Sequence, residues 1–213
     1  YVKDGLQFYC DGINNTRNGH NENTSVWEDL SGNQNDVNVQ ITNNKYWKTD
    51  ALKFENTNEM VTLPNSLPNI INGDKFTMQF IFSEYEYVEC DYPTILWSQN
   101  DKFSFFTAKN EWNFFELKNG INSRPRINKD LAIDKLVTIN FNLNNNFIKL
   151  YSNDELINEK SVSDYIGVSD ININRMNQKG TFAIKSLKLY NKSLTDEEIR
   201  HNCQIDKIRF HIK

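Results

Sequence analysis

The stretch LQFYCDGINN at residues 6–15, continued by WEDLSGNQND at residues 27–36, decides the fold of this chain. It is a short apolar strand that runs into a long loop of Asn, Asp, Thr and Gly with one tryptophan, Trp27. Asn and Asp side chains hydrogen-bond their own backbone two residues on, so they hold a loop in shape without a β-ladder. A loop this long and polar is either functional or disordered, and a tryptophan argues against disorder. We therefore expect Trp27 to fix the loop to a core.

Short alternating segments dominate the rest of the chain. The segment KFTMQFIFS at residues 75–83 alternates large apolar with mostly polar residues, the period of a half-buried strand. Further strands are predicted at residues 94–99, 102–109, 111–118, 135–143, 147–153, 169–176 and 180–191. Many short strands separated by turn residues indicate a β-sandwich.

One helix is predicted near the C-terminus. Thr195 and Glu198 have the spacing of a capping box, and acidic residues fill the first turn, where the helix dipole favours them. We expect this helix to end near Asn202 and the basic segment DKIRFHIK after it to be a solvated strand or tail. A small helix or turn is also expected at NSLPNI, residues 65–70.

Two segments resemble a known family. Residues 11–36, DGINNTRNGHNENTSVWEDLSGNQND, are similar to the opening signature of the laminin-G-like (concanavalin A-like) domains of Gram-positive bacteria and their phages. Residues 184–202, IKSLKLYNKSLTDEEIRHN, resemble the closing signature of that family. The resemblance implies an all-β fold, a two-sheet antiparallel jelly-roll β-sandwich with one short C-terminal helix. We expect residues 1–213 to form a single domain excised from a longer protein, since the chain opens on tyrosine.

Composition excludes several classes of function. A net charge of −4 and scattered basic residues argue against nucleic acid, which requires clustered Lys and Arg. No segment approaches the roughly 20 apolar residues of a transmembrane helix, so no membrane insertion is expected. Three cysteines cannot all pair, and no two have zinc-ligand spacing. Cys10 is expected in the core, and Cys90 is expected to be more exposed.

The segment EYEYVE at residues 84–89 is the sharpest enzymatic candidate. Some β-glucanases of this fold carry Glu-x-Asp-x-x-Glu on one strand, with the outer carboxylates about 5 Å apart for retaining hydrolysis. Here Glu86 replaces the central Asp, and the segment follows a complete strand. We therefore interpret it as a connecting loop with solvated carboxylates and expect no enzyme. A glycoside hydrolase that uses these carboxylates stays open as an alternative.

Histidine chemistry and metal binding have weaker support. The sequence has three histidines but no Gly-x-Ser-x-Gly motif, which carries the nucleophilic serine in some hydrolases. We expect His20 to form a hydrogen bond within its own loop. Four opening-loop residues have the oxygens that a structural calcium needs, but they equally suit turns without a metal. These are Asp11, Asp29, Asn33 and Asp36. We favour the metal-free interpretation and expect that the protein requires no cofactor. Structural calcium stays open as an alternative.

Aromatic residues flanked by amides and carboxylates in the region 85–113 suit a sugar, which offers a C–H face and hydroxyls. The predicted ligand-binding residues are Tyr87, Asp91, Tyr92, Trp97, Gln99 and Trp112. For any one aromatic, core packing is the competing explanation. The resemblance implies a binding module for carbohydrate or a cell-surface receptor, in a phage tail or bacterial surface protein, hence extracellular, on the cell surface or on a virion. A structural or oligomerisation domain is the remaining alternative.

Overall fold

The computed structural model describes residues 1–86, 93–107, 114–118, 124–175 and 180–212. In chain order the strands of these residues are β1 (Leu6–Asp11), β2 (Val26–Trp27), β3 (Val37–Asn38), β4 (Lys45–Lys48), β5 (Ala51–Thr57), β6 (Val61–Thr62), β7 (Lys75–Glu86), β8 (Thr94–Trp97), β9 (Ser104–Phe106), β10 (Phe114–Lys118), β11 (Arg126–Asn128), β12 (Leu136–Asn142), β13 (Phe147–Ser152), β14 (Glu155–Ser161), β15 (Asn172–Ile173) and β16 (Gly180–Tyr190). The helices are α1 (Pro68–Ile71) and α2 (Asp196–Phe210), with a 3₁₀ turn at Lys129–Leu131.

The larger sheet has the antiparallel order β14-β13-β12-β7-β16-β5-β4, and β1 pairs with the second half of β16. The strand predicted for residues 75–83 is confirmed as β7, but the prediction that it is half-buried is wrong. Its inner face places Phe76, Met78, Phe80 and Phe82 in the main core. The opposite face places Ile81 in a second cluster. Both faces of this strand are therefore covered.

The smaller sheet has the order β11-β10-β9-β8-β15-β6, and each of its pairs is antiparallel. One row of aligned residues crosses it towards the core: Leu117, Phe105, Leu96, Ile173 and Val61. The Phe105 ring lies edge-on to the ring of Phe80 in the larger sheet, with centroids 5.1 Å apart. The two sheets therefore stack face to face, and the predicted antiparallel β-sandwich is confirmed.

The opening loop is fixed as predicted. Trp27 is fully buried, and its Nε1 donates a hydrogen bond of 2.9 Å to the Asp11 carbonyl oxygen. Its ring lies edge-on to Trp47, with centroids 5.4 Å apart. Cys10 is buried beneath the loop, also as predicted. The loop returns as the two-stranded ribbon of β2 and β3, which stands apart from both sheets.

Helix α2 is longer than the sequence suggested. The capping box of Thr195 and Glu198 is present, and the small helix predicted at residues 65–70 is confirmed as α1. The predicted end near Asn202 and the solvated tail are wrong, because α2 continues to Phe210. Phe210 is buried in one cluster with Ile81 of the larger sheet, so packing on the outer face extends the helix.

Strand β14 is the outer edge of the larger sheet. Its sequence has no alternation that would predict a strand. Most of its residues are exposed, among them Glu155, Glu159 and Lys160. The β13–β14 register shifts between Leu150 and Tyr151, which is a bulge or irregularity next to this edge. No helix in the described ranges is both long and apolar enough to cross a membrane.

Candidate functional site

A groove with a volume of about 680 Å³ opens between the β2–β3 ribbon and β6, the edge strand of the smaller sheet. We call it the ribbon groove. Its lining residues are Ser25, Asp36, Asn38, Val39, Gln40, Lys45, Met60, Thr62, Leu63, Pro64 and Asn65. Small-ligand sites have volumes of about 300–1,000 Å³, so the ribbon groove is large enough for a small molecule.

Strand periodicity builds an apolar floor and a polar wall. After β3, Val39 is buried in the main core while Asn38 and Gln40 are exposed. On the other side, Leu63 is buried beside the exposed residues Thr62 and Asn65. Within the described part of the chain, the amides of Asn38, Gln40 and Asn65 make no side-chain hydrogen bond. They are therefore available to a ligand.

Lys45 is the buried cation of the ribbon groove. Strand β4 points Lys45 and Trp47 inward, and Lys45 is only 3% exposed. Its Nζ lies 3.5 Å from Glu59 Oε2. That same oxygen accepts a hydrogen bond of 2.7 Å from the Thr42 hydroxyl. The ion pair of Lys45 is therefore long, and its partner carboxylate, Glu59, also accepts a hydrogen bond from Thr42.

Asp36 is the carboxylate that lines the ribbon groove, and its charge is compensated. Its Oδ1 accepts a hydrogen bond of 2.8 Å from the backbone N–H of Asp29. The same oxygen accepts a charge-assisted hydrogen bond from the Arg17 guanidinium. This hydrogen bond is the leading cause that raises the Arg17 pKa. The negative charge of Asp36 is therefore balanced from outside the groove.

The acidic residues of the opening loop act as turn formers. Asp29 accepts hydrogen bonds from the N–H groups of Tyr9, Ser31 and Asn35, at 3.0, 2.8 and 3.0 Å. Asp11 Oδ1 accepts from the N–H groups of residues 13 and 14. The Asn33 amide donates to backbone carbonyl oxygens, including that of Leu6. The described residues contain no metal-ligating cluster of three His, Cys, Asp or Glu, and the metal-free interpretation of this loop stays a prediction.

The prediction that His20 forms a hydrogen bond within its own loop is confirmed. His20 Nδ1 lies 3.0 Å from the Gly12 carbonyl oxygen, a hydrogen bond within the loop.

The predicted sugar-binding residues fall into two groups. Tyr87, Asp91, Tyr92 and Trp112 lie outside the described residues, as does Cys90. Their predicted roles stay predictions.

Trp97 and Gln99 are described, and both lie at the end of β8. Trp97 is 9% exposed, its Nε1 donates to the Asn174 carbonyl oxygen at 2.9 Å, and the Arg175 guanidinium carbon lies 4.8 Å from its ring centroid. Gln99 is exposed, and its N–H donates to Asp170 Oδ1 at 2.7 Å. Little of the Trp97 ring is accessible, so Gln99 is the more available of the two.

Trp97 and the ribbon groove lie along one row of the smaller sheet. Trp97 pairs with Asn172, and Asn172 pairs with Thr62 in the wall of the groove. The Thr62 hydroxyl donates to Asn172 Oδ1 at 2.7 Å. Two strand spacings separate Trp97 from the groove, roughly 10 Å.

Of the outer carboxylates proposed for catalysis, the structure describes Glu84, which two lysines bind. The prediction of a connecting loop is wrong for Glu84 and Glu86, because β7 extends through both, and Glu89 lies outside the described residues. Glu84 has a φ of 53° and accepts charge-assisted hydrogen bonds from Lys48 and, at 2.6 Å, from Lys53. These bonds lower the Glu84 pKa. A carboxylate held in its charged form is unsuited to donate a proton as a general acid.

Sequence reasoning missed the ribbon groove. Its walls come from segments that are separate in the chain, and Asn38, Gln40 and Asn65 resemble every other loop asparagine or glutamine. The one available signal was Lys45. In KYWK it occupies the same face of the strand as Trp47, and a lysine at an inward position is unusual.

Comparisons with known proteins identify the fold. No protein-family model matches the chain. No curated protein matches it in sequence. Solved structures match it throughout, and the similarity is architectural because identities are low.

Three structures represent these neighbours. The botulinum neurotoxin serotype D binding domain has a TM-score of 0.72 at 17% identity, covering 98% of this chain and 53% of that one. The binding domain of botulinum neurotoxin DC in complex with SialylT has a TM-score of 0.68 at 21% identity, covering 96% and 52%. Trypanosoma rangeli sialidase in complex with sialic acid has a TM-score of 0.67 at 17% identity, covering 93% and 32%. The chain thus spans about half of the neurotoxin domains and a third of the sialidase.

Proposed function

We propose that this protein is a non-catalytic binding module that recognises a glycan in the ribbon groove. The observation that carries the proposal is that the amides of Asn38, Gln40 and Asn65 are free and that the partly exposed Met60 and Pro64 line the same groove. A sugar presents hydroxyls that such amides can bind and a C–H face that such apolar side chains can contact. Trp97, a described member of the predicted aromatic site, lies in the same row of the smaller sheet as Thr62 in the wall of the groove.

The neighbours support this proposal. One is a binding domain solved with SialylT, and another is a sialidase solved with sialic acid. We infer that the chain is one module of a longer extracellular, cell-surface or virion protein. The Gram-positive or phage setting and the laminin-G-like family rest on the opening and closing motifs. In such a parent assembly, several weak sites would bind through multivalency.

A glycan array followed by titration of the strongest hit tests the proposal. We expect Asn38→Ala and Asn65→Ala each to weaken binding by about fivefold, the effect of losing one hydrogen bond of about 1 kcal/mol. Asn144→Ala is the matched control, because Asn144 is an exposed asparagine in the turn between β12 and β13. Its affinity should equal that of the parent protein.

A second pair of variants separates the ribbon groove from the predicted aromatic site. Gln99→Ala and Trp112→Ala change two residues of the predicted aromatic site. If they abolish binding while Asn38→Ala and Asn65→Ala do not, the glycan binds at the aromatic site and the groove proposal is wrong. A folded protein that binds no glycan points instead to a structural or oligomerisation role. Cleavage of labelled β-glucans that Glu84→Gln abolishes would establish the hydrolase alternative.

A further inference from the structure

We propose that the ribbon groove selects an acidic sugar and that Lys45 binds the sugar carboxylate. This inference rests on the proposed glycan-binding function and narrows its ligand class. The observation behind it is a buried ammonium in the lining of an otherwise amide-rich groove.

The ion pair of Lys45 leaves it with capacity for another anion. A lysine ammonium has three N–H donors, and the Lys45 side chain is only 4% exposed, which limits their access to water. Within the described residues its ion-pair partner is Glu59, at 3.5 Å, beyond the 2.7–2.9 Å of a short charge-assisted hydrogen bond. Glu59 is 37% exposed and also accepts from Thr42. A ligand carboxylate would therefore fill donors that the protein leaves undersatisfied.

The carboxylate that lines the groove is already balanced and opposes an incoming anion little. Asp36 is the lining carboxylate, and Arg17 together with the Asp29 N–H compensates it. The repulsive group that remains is Glu59, which competes with the ligand for the same ammonium. This competition predicts that neutralising Glu59 strengthens binding.

The donor set favours a carboxylate over a phosphate or sulfate ester. Phosphate sites combine several cations or a series of backbone N–H groups. The ribbon groove has one buried cation, and amide side chains such as Asn38 and Asn65 supply its other polar donors. One ammonium matches a single negative charge, and the amides suit the hydroxyls beside it.

Matched acidic and neutral glycosides test the inference. The probes are the methyl glycosides of N-acetylneuraminic acid and glucuronic acid, each compared by calorimetric titration with its own uncharged carboxyl methyl ester. We expect at least one acid to bind about tenfold more tightly than its ester, and the better acid identifies the sugar class. The preference should shrink as salt concentration rises.

Variants at Lys45, Glu59 and Lys48 show which side chain causes the preference for the acid over its ester. Lys45→Met should equalise acid and ester, Lys45→Arg should retain part of the preference, and Glu59→Gln should increase acid affinity while ester affinity stays the same. Lys48→Met is the control, since Lys48 lies on the other face of β4 and binds Glu84. The gain in Glu59→Gln cannot arise from misfolding.

Each contrary outcome has a defined meaning. Equal binding of acid and ester by the parent protein overturns the acidic-sugar inference but leaves glycan binding standing. An acid preference that survives in folded Lys45→Met overturns the assignment to Lys45. Absence of binding by every probe and every array glycan overturns both proposals together.

Discussion

Lys188 and Asp206 form an ion pair, Nζ to Oδ2 at 2.7 Å, in which neither side chain has any exposed surface. Lys188 belongs to the central strand β16 and Asp206 to the last turns of α2. The Tyr1 hydroxyl donates to the other oxygen of Asp206 at 2.6 Å. The outer face of the larger sheet thus binds the terminal helix through a buried charge as well as apolar packing.

Breaking this pair should be severe. Asp206→Asn leaves Lys188 buried without its charge partner, and we expect a loss of about 3–5 kcal/mol in the free energy of unfolding. The double variant Lys188→Met with Asp206→Leu should lose much less, because no buried charge remains. Urea denaturation followed by circular dichroism measures both. Equal losses in the single and double variants would contradict this account.

Trp27 should be hard to replace, even by phenylalanine. Trp27→Phe keeps most of the ring but leaves the buried Asp11 carbonyl without the indole N–H, which costs about 1–3 kcal/mol. Tyr165→Phe is a suitable control, because Tyr165 is 49% exposed and far less dependent on packing. Thermal unfolding should rank Trp27→Phe well below both the control and the parent protein.

Glu84 should contribute to acid sensitivity. Its pKa is lowered in the folded protein by hydrogen bonds from Lys48 and Lys53. A lowered carboxylate pKa gives stability that is complete above the unfolded value of about 4.3 and is lost as the pH falls through the folded value. The stability difference between the parent protein and Glu84→Gln should therefore be constant near neutrality and shrink below about pH 4.3. Denaturation midpoints from pH 3 to pH 7 test this, and a pH-independent difference would refute it.

The buried cysteines should resist alkylation. Burial raises the pKa of the Cys203 thiol to about 11 and raises that of Cys10 well above its ordinary value. The thiolate is the reactive species, so both residues should react with iodoacetamide slowly in the native protein and quickly in denaturant. Peptide mass spectrometry follows each cysteine separately. Rapid labelling of native Cys10 would show that the core under the opening loop opens.

The sequence predicted the structure best where a local pattern of residues has a single physical explanation. Trp27 in a polar loop indicated an anchor, and the alternation in 75–83 indicated a strand, although helix α2 and the sheet's outer cluster cover its second face as well. The Thr195 capping box likewise fixed where α2 begins. In each case a local pattern determined the outcome, and the outcome did not depend on distant segments.

Prediction failed where the outcome depended on packing between distant segments. Nothing local in DKIRFHIK indicates that Phe210 and Asp206 face the larger sheet, so the end of α2 was placed too early. Strand β14 is set by pairing with β13, since its own residues are mostly polar. The ribbon groove combines β3, β4 and β6 after folding, so no single segment could reveal it.

The exposed edge strand β14 bears on self-association of the protein. Unpaired strand edges invite further strands, whereas charged side chains and bulges discourage them. Glu155, Glu159 and Lys160, beside the irregularity in the β13–β14 pairing, give this edge both protections. These features of β14 therefore disfavour the addition of a strand from a neighbouring molecule at this edge of the larger sheet.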